Sequence, residues 1–302
     1  MLDPTGARRE RFEKFAQLAV WLTPALWAVN YVIARKAPGV VGPYSLAFGR
    51  WLLAALVLVV LARHELWQQR HHVAQVWHQY VVLGFCGMLV CGAWVYLGAR
   101  TTVAMNIALI YAASPVLIAI GAVLWLGEKF RWQQVAGVLL AMAGVVHVIV
   151  KGQWAALAKV QWVPGDLWIV AAMVAWAAYA LLQKWWTSPL SATARLAAIA
   201  AGGVLVLLPC AVWEALEPAT PALTSQAVQL MVIAALLPGL CAYWLYGWAQ
   251  KVLGASRVAV TLYLGPLYAA VAAYAVLHEP MGWHHVVGAA LILPGVYGVS
   301  RR

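Results

Sequence analysis

Apolar runs of about 20 residues recur along the whole 302-residue chain and constrain its fold more than any other feature. A helix of roughly 20 apolar residues crosses the hydrocarbon core of a bilayer. Hydrophobic residues make up 65% of the chain and charged residues 10%, whereas soluble domains average roughly 45–50% and 25%. A membrane β-barrel would instead alternate in segments of about ten residues, a pattern that the sequence lacks. We therefore predict an all-α integral membrane protein.

The apolar runs predict ten transmembrane helices joined mostly by short loops. The predicted spans are residues 16–35, 43–62, 79–98, 104–126, 132–150, 166–185, 193–213, 226–249, 257–277 and 284–300. The longest loops are residues 63–78, 151–165 and 214–225. No segment between the runs has the composition of a soluble domain.

The second half of the chain repeats the first. A shift of 151 residues aligns Pro115 with Pro266, Glu128 with Glu279, Gly137 with Gly288 and Gly144 with Gly295. We therefore predict two repeats, residues 1–150 and 151–302, of five spans each. Because five is odd, the second repeat must cross the membrane in the opposite direction. Inverted repeats of this kind are typical of secondary transporters, whose binding site lies near the midplane between the repeats.

The distribution of Lys and Arg predicts the orientation of the chain. With the N-terminus inside, 13 of the 20 lie in inner segments and 5 in outer loops, while Arg50 and Arg195 fall within spans. This bias places both termini in the cytoplasm and the protein in the cytoplasmic (inner) membrane. Topology thus accounts for the net charge of +11, and no motif indicates a nucleic-acid partner. We expect the protein to work in the lipid bilayer and not to require an oligomer.

Aromatic side chains on small-residue helix faces are the candidate substrate contacts. Spans 3 and 6 carry aromatics near the ends of such faces, an arrangement that suits either close helix packing or a central cavity. Asn30 is the only Asn or Asp of span 1, and its amide needs a partner in hydrocarbon, either a substrate or a neighbouring helix. The predicted contacts are Trp27, Asn30, Tyr31, Tyr80, Trp94, Tyr111, Trp168, Trp176, Tyr179, Tyr243 and Tyr246.

Two prolines at equivalent positions are candidate hinges. Pro115 and Pro266 lie inside predicted spans 4 and 9. Each removes an N–H donor and clashes with the carbonyl four residues earlier, which produces a fixed kink or a hinge. Repetition in both halves favours the hinge, because alternating access needs matched moving parts.

None of the nine acidic residues lies near the middle of a predicted span. Glu128 and Glu279 lie at the starts of spans 5 and 10, where a carboxylate stabilises a helix N-terminus. We predict structural roles for both, and for Gly137 and Gly288. A proton-coupled antiporter for cations usually needs a buried carboxylate, so the pattern favours facilitated export and fits a neutral zwitterion better than a cationic drug. The buried Arg50 and Arg195 are expected to pair with loop carbonyls or carboxylates, and a role in gating stays open.

A membrane enzyme is the main alternative from another class. Its catalytic groups would have to lie together at one depth, yet no GxSxG or HExxH motif occurs. The four cysteines lie in apolar runs without metal-ligand spacing. We expect no enzymatic activity, no cofactor and no metal. A channel or scramblase is a further alternative.

The pattern P-x12-E-x3-W-x4-G-x6-G occurs once in each half and resembles the EamA-type repeat of the drug/metabolite transporter superfamily. Arg50 and Arg195 match the arginine that this family has early in the second helix of each repeat. The resemblance covers the whole chain and implies ten helices, as two inverted five-helix repeats around a central cavity, that export small metabolites.

Within the superfamily the chain is most similar to YddG-type exporters. This closer resemblance implies export of aromatic and other neutral amino acids by alternating access. Exporters of nucleosides, amphipathic compounds or other drugs are the alternative within the superfamily.

Overall fold

A computed structural model describes residues 4–98, 100–102, 104–129, 131–278 and 280–300, and within these ranges the chain is helical without strands. The α-helices are α1 (Pro4–Lys36), α2 (Pro43–Gln68), α3 (Arg70–Gln75), α4 (Trp77–Gly84), α5 (Val95–Gly98), α6 (Ala104–Ala112), α7 (Ser114–Leu124), α8 (Trp132–Ile149), α9 (Pro164–Trp185), α10 (Ala192–Leu216), α11 (Ser225–Ala234), α12 (Ala242–Leu253), α13 (Ala255–Val260), α14 (Gly265–Leu277) and α15 (Trp283–Ser300). Two π-helices, Phe85–Trp94 and Ala235–Cys241, and two 3-10 helices, Trp154–Lys159 and Thr261–Leu264, lie between them.

Eight helical stretches of the described residues are long and apolar enough to cross a bilayer. They are Phe15–Ala34, Pro43–Gln68, Met105–Leu124, Trp132–Ile149, Pro164–Trp185, Ala192–Leu216, Ser225–Leu253 and Ala255–Val276. Trp283–Val299 is a shorter apolar helix. The prediction of an all-α, multi-pass membrane protein is therefore confirmed.

Tryptophans at the helix ends lie on the outside of the molecule. Six of them, all more than half exposed, are Trp67, Trp77, Trp132, Trp162, Trp213 and Trp283. Large exposed aliphatic side chains, such as Leu61 and Leu124, lie on the outer faces of the helices. Tryptophan prefers the boundary between lipid and water, and aliphatic side chains prefer the lipid tails. The outer surface is therefore suited to a bilayer.

Glycines bring α8 and α15 into close antiparallel contact. A Cβ added to Gly137 would lie 2.8 Å from the carbonyl oxygen of Gly295. One added to Gly288 would lie 3.2 Å from the carbonyl oxygen of Gly144. Small residues allow such close approach between membrane helices. Gly137 and Gly288 thus both lie in this helix contact.

Two glutamates join the ends of α2 and α10. Glu65 accepts hydrogen bonds from the N–H (2.5 Å) and the hydroxyl (2.6 Å) of Ser191, which precedes α10. Glu214 accepts from the N–H groups of Tyr44 (3.2 Å) and Ser45 (2.7 Å), in the first turn of α2. The first N–H groups of a helix have no partner inside the helix, and a carboxylate there is also favoured by the helix dipole. Each helix therefore carries the group that caps the other.

Glu128 caps a different helix from the one that the sequence suggested. Its carboxylate accepts from the N–H of Ala255 (2.8 Å) and from the N–H (3.2 Å) and hydroxyl (2.7 Å) of Ser256. It therefore caps α13 in the other half of the chain, whereas α8 begins only at Trp132. Glu279 lies outside the described residues.

The helix is interrupted at both candidate hinge prolines. α6 ends at Ala112, and Pro115 is the second residue of α7. Pro266 is the second residue of α14, which follows the 3-10 helix Thr261–Leu264. In the first turn of a helix the missing N–H of proline breaks no hydrogen bond. Within the single helical stretches Met105–Leu124 and Ala255–Val276, the α-helix is thus divided into two α-helical segments, one on either side of the break that precedes the proline.

The segment 63–78, predicted as a loop, is largely helical. α2 continues to Gln68, and α3 follows from Arg70 to Gln75. No glycine or proline occurs in this segment to stop the helix. The helix therefore extends past the apolar run that predicted it.

Candidate functional site

Six aromatic side chains from four helices meet inside the molecule, and we call them the aromatic cluster. Its members are Trp27 (α1), Trp51 (α2), Trp176 and Tyr179 (α9), and Tyr243 and Tyr246 (α12). The centroids of contacting rings lie between 4.7 and 5.8 Å apart. Many of these pairs are edge-to-face, the arrangement that aromatic quadrupoles favour. All members except Trp27 are at least nine-tenths buried.

Sequence spacing accounts for the contributions of α9 and α12. Trp176 and Tyr179 are three residues apart, as are Tyr243 and Tyr246, so each pair shares one helix face. Small buried residues of α9, among them Ala172, lie on the same helix. They allow neighbouring helices to approach closely, and the large rings fill the space at the centre.

Both π-helices present a backbone carbonyl to the cluster. The hydroxyl of Tyr243 donates to the carbonyl of Gly87, in the π-helix Phe85–Trp94, at 2.8 Å. The indole N–H of Trp27 donates to the carbonyl of Pro238, in the π-helix Ala235–Cys241, at 3.2 Å. π-helical turns are rare and occur frequently at functional sites. These bonds fix the orientation of two rings of the cluster.

A buried arginine adjoins the cluster. The guanidinium of Arg50 lies 4.9 Å from the centre of the Trp51 ring, within cation–π range. Its Nη1 donates to Oδ1 of Asn30 at 3.4 Å. Arg50 therefore bonds a side chain on α1, not the loop group expected from the sequence. Arg195 does bond a carbonyl beyond the end of α9, that of Trp186, at 2.5 Å.

The remaining predicted contacts lie outside the cluster. Trp94 and Trp168 pack edge-to-face at 5.1 Å, and Trp168 is 42% exposed, so this pair lies at the periphery. Tyr80 is buried against α10, where its carbonyl faces Gly202. Tyr111 is half-buried near the end of α6. The side chain of Tyr31 lies outside the described residues.

A cavity of about 410 Å³ lies where α9 and α12 end. Its lining includes the cations Lys129, Lys184 and Arg257 together with Glu128. A much smaller cavity, of about 10 Å³, is lined by Tyr243 of the cluster together with Gln183, Ala192, Arg195, Leu196, Trp244, Gly247 and Lys251. Both cavities involve the last turns of α9 and α12. Their lining includes Lys129, Lys184, Lys251 and Arg257, so this end of α9 and α12 is positively charged, which favours anionic groups.

Trp51 and the two π-helices are site features that the sequence reasoning missed. Trp51 directly follows the buried Arg50 on α2, and consecutive residues of a helix do not normally face each other, so the sequence gives no signal for their cation–π contact. The second π-helix contains Pro238, which cannot donate an N–H to the preceding turn. The first contains no proline, so the sequence offers no comparable signal for it. Within the described ranges, no group of three or more His, Cys, Asp or Glu side chains is placed to hold a metal ion.

Comparison with known proteins identifies relatives along nearly the whole chain. The probable terminal-alkyne amino-acid exporter of Streptantibioticus cattleyicolor is 28% identical over 292 residues, 94% of either chain. The uncharacterized transporter YyaM of Bacillus subtilis is 26% identical over 286 residues, 90% of this chain and 88% of the relative. An uncharacterized transporter of Archaeoglobus fulgidus is 26% identical over 283 residues, 93% and 95% of the two chains.

A crystal structure of another protein shares the fold. It aligns with a TM-score of 0.76 over 94% of this chain and 96% of the other, at 18% sequence identity. The EamA-like transporter family matches residues 14–150 and 163–301. These two ranges comprise most of the chain, and the described part is built of apolar membrane-length helices. The chain therefore belongs to the EamA-like transporter family of multi-pass membrane proteins.

Proposed function

We propose that this transporter exports small metabolites with an apolar or aromatic body, most of all aromatic and other neutral amino acids, by alternating access. The aromatic cluster carries the proposal. Rings of Trp and Tyr stack on an aromatic side chain, and their faces attract an ammonium group. The Streptantibioticus relative is named as a probable exporter of terminal-alkyne amino acids, which supports an amino acid as cargo.

We further propose ten spans in two inverted repeats, residues 1–150 and 151–302. Glu65 and Glu214 are related by a shift of 149 residues, and each caps the helix that carries the other. The glycine contacts between α8 and α15 are reciprocal in the same way. Gly137 meets Gly295 and Gly144 meets Gly288, and the shift of 151 residues converts one pair into the other. Reciprocal contacts of this kind are expected around a two-fold axis. The helical segments 77–98 and 283–300 complete the ten spans.

In this topology both termini lie in the cytoplasm, and the protein lies in the inner membrane. The 410 Å³ cavity then opens to the cytoplasm, because its lining residues Lys129, Lys184 and Arg257 belong to inner segments. Cargo would enter there and reach the aromatic cluster along α9 and α12. Opening on the other side of the cluster would then release it outside.

Efflux from proteoliposomes tests the proposal. Vesicles that contain the purified protein are loaded with labelled phenylalanine, threonine, a nucleoside or a cationic dye, and efflux is followed with and without a pH gradient. We expect phenylalanine to leave fastest. Faster efflux of the nucleoside or the dye would favour an exporter of other metabolites or drugs.

Trp176→Ala tests the cluster against a matched control. Trp176 and Trp168 both lie on α9, but only Trp176 belongs to the cluster. Since each 1.4 kcal/mol of lost interaction is a factor of ten, we expect Trp176→Ala to lower phenylalanine efflux by about tenfold or more. Trp168→Ala should retain most of the rate. Equal rates in the two variants, at equal amounts of folded protein, would contradict a binding role for the cluster.

A further inference from the structure

We propose that Arg50 and the indole N–H of Trp51 form an anion subsite that binds the carboxylate of the cargo. The inference rests on the proposed function and deepens it, because it names the chemical group that the transporter requires. The cargo class is then a carboxylic acid, zwitterionic or not, with an apolar or aromatic body.

Both residues have buried donors without a partner. Arg50 is 7% and Trp51 0% exposed. Nε of Arg50 and Nε1 of Trp51 have no hydrogen-bond partner among the residues that the structure describes. Within the described residues, the one hydrogen bond from the guanidinium goes to Asn30 and is long at 3.4 Å. Since buried donors are nearly always paired with protein, water or ligand, these groups indicate an acceptor that comes from outside the chain.

The two side chains border the same gap. A Cβ added to Gly92 would lie 3.8 Å from Nη2 of Arg50 and 3.9 Å from Nε1 of Trp51. These are ordinary contact distances, so an atom of methyl size fits there without displacing either group. Gly92 belongs to the π-helix Phe85–Trp94, and its missing side chain leaves the gap open. An acceptor atom that enters this gap lies next to Nη2 of Arg50 and Nε1 of Trp51.

Four carboxylates of the described chain bond other groups and do not neutralise Arg50. Glu65, Glu128 and Glu214 cap other helices, and Asp166 is bonded by Thr102 and Asn106. A buried cation without an anion is unfavourable, because its lost hydration is not replaced. The planar fork of a guanidinium matches a carboxylate with two parallel hydrogen bonds. A carboxylate on the cargo supplies both the charge and the geometry.

Trp51 connects the subsite to the aromatic cluster. Its ring packs edge-to-face against Tyr243 at 4.7 Å between centroids, and Tyr243 in turn contacts Trp27 at 5.8 Å. A cargo whose carboxylate lies beside Arg50 therefore has its apolar body at the cluster. Asn30, predicted to contact the cargo, takes the role of a positioning residue, since its side-chain oxygen holds the guanidinium.

A ligand series on the unmodified protein is the first test. Phenylalanine, phenylpropionate, phenylalanine amide and phenethylamine compete with labelled phenylalanine for the purified transporter. Loss of a hydrogen bond to a charged group weakens binding roughly tenfold or more, so the amide and the amine should bind at least tenfold more weakly than the two carboxylates. Equal affinity of phenylalanine and its amide would overturn the inference while the proposed function stands. Failure of all four to bind would overturn both.

Variants separate recognition from structure. Trp51→Phe keeps an aromatic ring, smaller than indole, but removes the N–H, and Arg50→Lys keeps the charge but removes the planar guanidinium. We expect each variant to bind phenylalanine roughly tenfold more weakly and to bind phenethylamine with unchanged affinity. Arg63→Gln, exposed on the same helix, and Trp154→Phe, whose N–H bonds His147, are the controls and should change neither. Parallel loss of both ligands in Trp51→Phe and Arg50→Lys would show a structural role and overturn the inference.

Gly92→Ala gives an independent check without removing a donor. Its Cβ makes only ordinary contacts, so the variant should fold. The added methyl group occupies the gap, so phenylalanine should bind several-fold more weakly than to the wild type while phenethylamine binds as before. Unchanged phenylalanine affinity would place the carboxylate elsewhere and overturn the inference.

Discussion

The aromatic residues of the cluster differ in whether their polar atoms have a hydrogen-bond partner. Tyr243 and Trp27 donate to the carbonyls of the two π-helices and thereby hold their rings in place. The hydroxyl of Tyr246, in contrast, has no partner within the described chain. Buried hydroxyls of this kind usually bond water or a ligand. We therefore expect Tyr243 to stabilise the site and Tyr246 to meet the cargo.

Tyr243→Phe measures the stabilising contribution. The change keeps the ring contact with Trp51 but removes the donor to Gly87. We expect the free energy of unfolding to fall by about 1 kcal/mol, the usual net value of one hydrogen bond. Tyr274→Phe, on an exposed position of α14, is the control. Thermal unfolding in detergent compares them, and equal midpoints would mean that the bond to Gly87 contributes nothing.

At the scale of whole helices, the close contact between α8 and α15 requires glycine. A Cβ on Gly144 would lie 2.8 Å from Cγ1 of Ile292 and 2.9 Å from the carbonyl oxygen of Gly288. We expect Gly144→Ala to lower the free energy of unfolding by about 1–3 kcal/mol, as is typical of overpacking. Gly298→Ala, on α15 with no atom within 4 Å of the added Cβ, should be neutral. Similar unfolding midpoints for the two variants would show that the helices can separate without cost.

The helix breaks before Pro115 and Pro266 are the elements that we expect to move. Alanine at either position would allow the preceding and following helices to join. We predict that Pro115→Ala and Pro266→Ala slow phenylalanine efflux several-fold more than they weaken phenylalanine binding. Pro209→Ala, on the exposed side of α10, is the control. Wild-type turnover in both hinge variants would exclude the breaks as moving parts.

The topology of the whole molecule depends on whether the segment 77–98 crosses the membrane. Ten spans place five crossings between His71 and Ala222, whereas the eight long helices alone place four. Because five is odd, we predict that His71 and Ala222 lie on opposite sides of the membrane. Ala222→Cys, in a background without Cys86, Cys91, Cys210 and Cys241, should react with an impermeant maleimide on intact cells. His71→Cys should react only after permeabilisation, and reaction of both on intact cells would contradict the ten-span topology.

The aromatic residues show how much of the site was predictable. The sequence predicts Trp176 and Tyr243 as contacts, and the structure brings their rings together at 5.7 Å between centroids. The same helical spacing predicts Trp94 and Trp168, which contact each other away from the cluster. Periodicity identifies which side chains share a helix face. It contains no information about which other helix that face meets.

The sequence by itself determined that this protein is a helical membrane transporter of the EamA type. In lipid every backbone polar group must be satisfied internally, so long apolar runs leave little choice but helices, and the repeated Pro, Glu, Trp and Gly positions identify the family. Only the tertiary structure decided which aromatic faces meet, and that Arg50 lies against the ring of Trp51 with Nε unpaired among the described residues. Those features depend on contacts between residues as far apart as Trp27 and Pro238, 211 positions along the chain, and local sequence patterns do not encode such distant pairings.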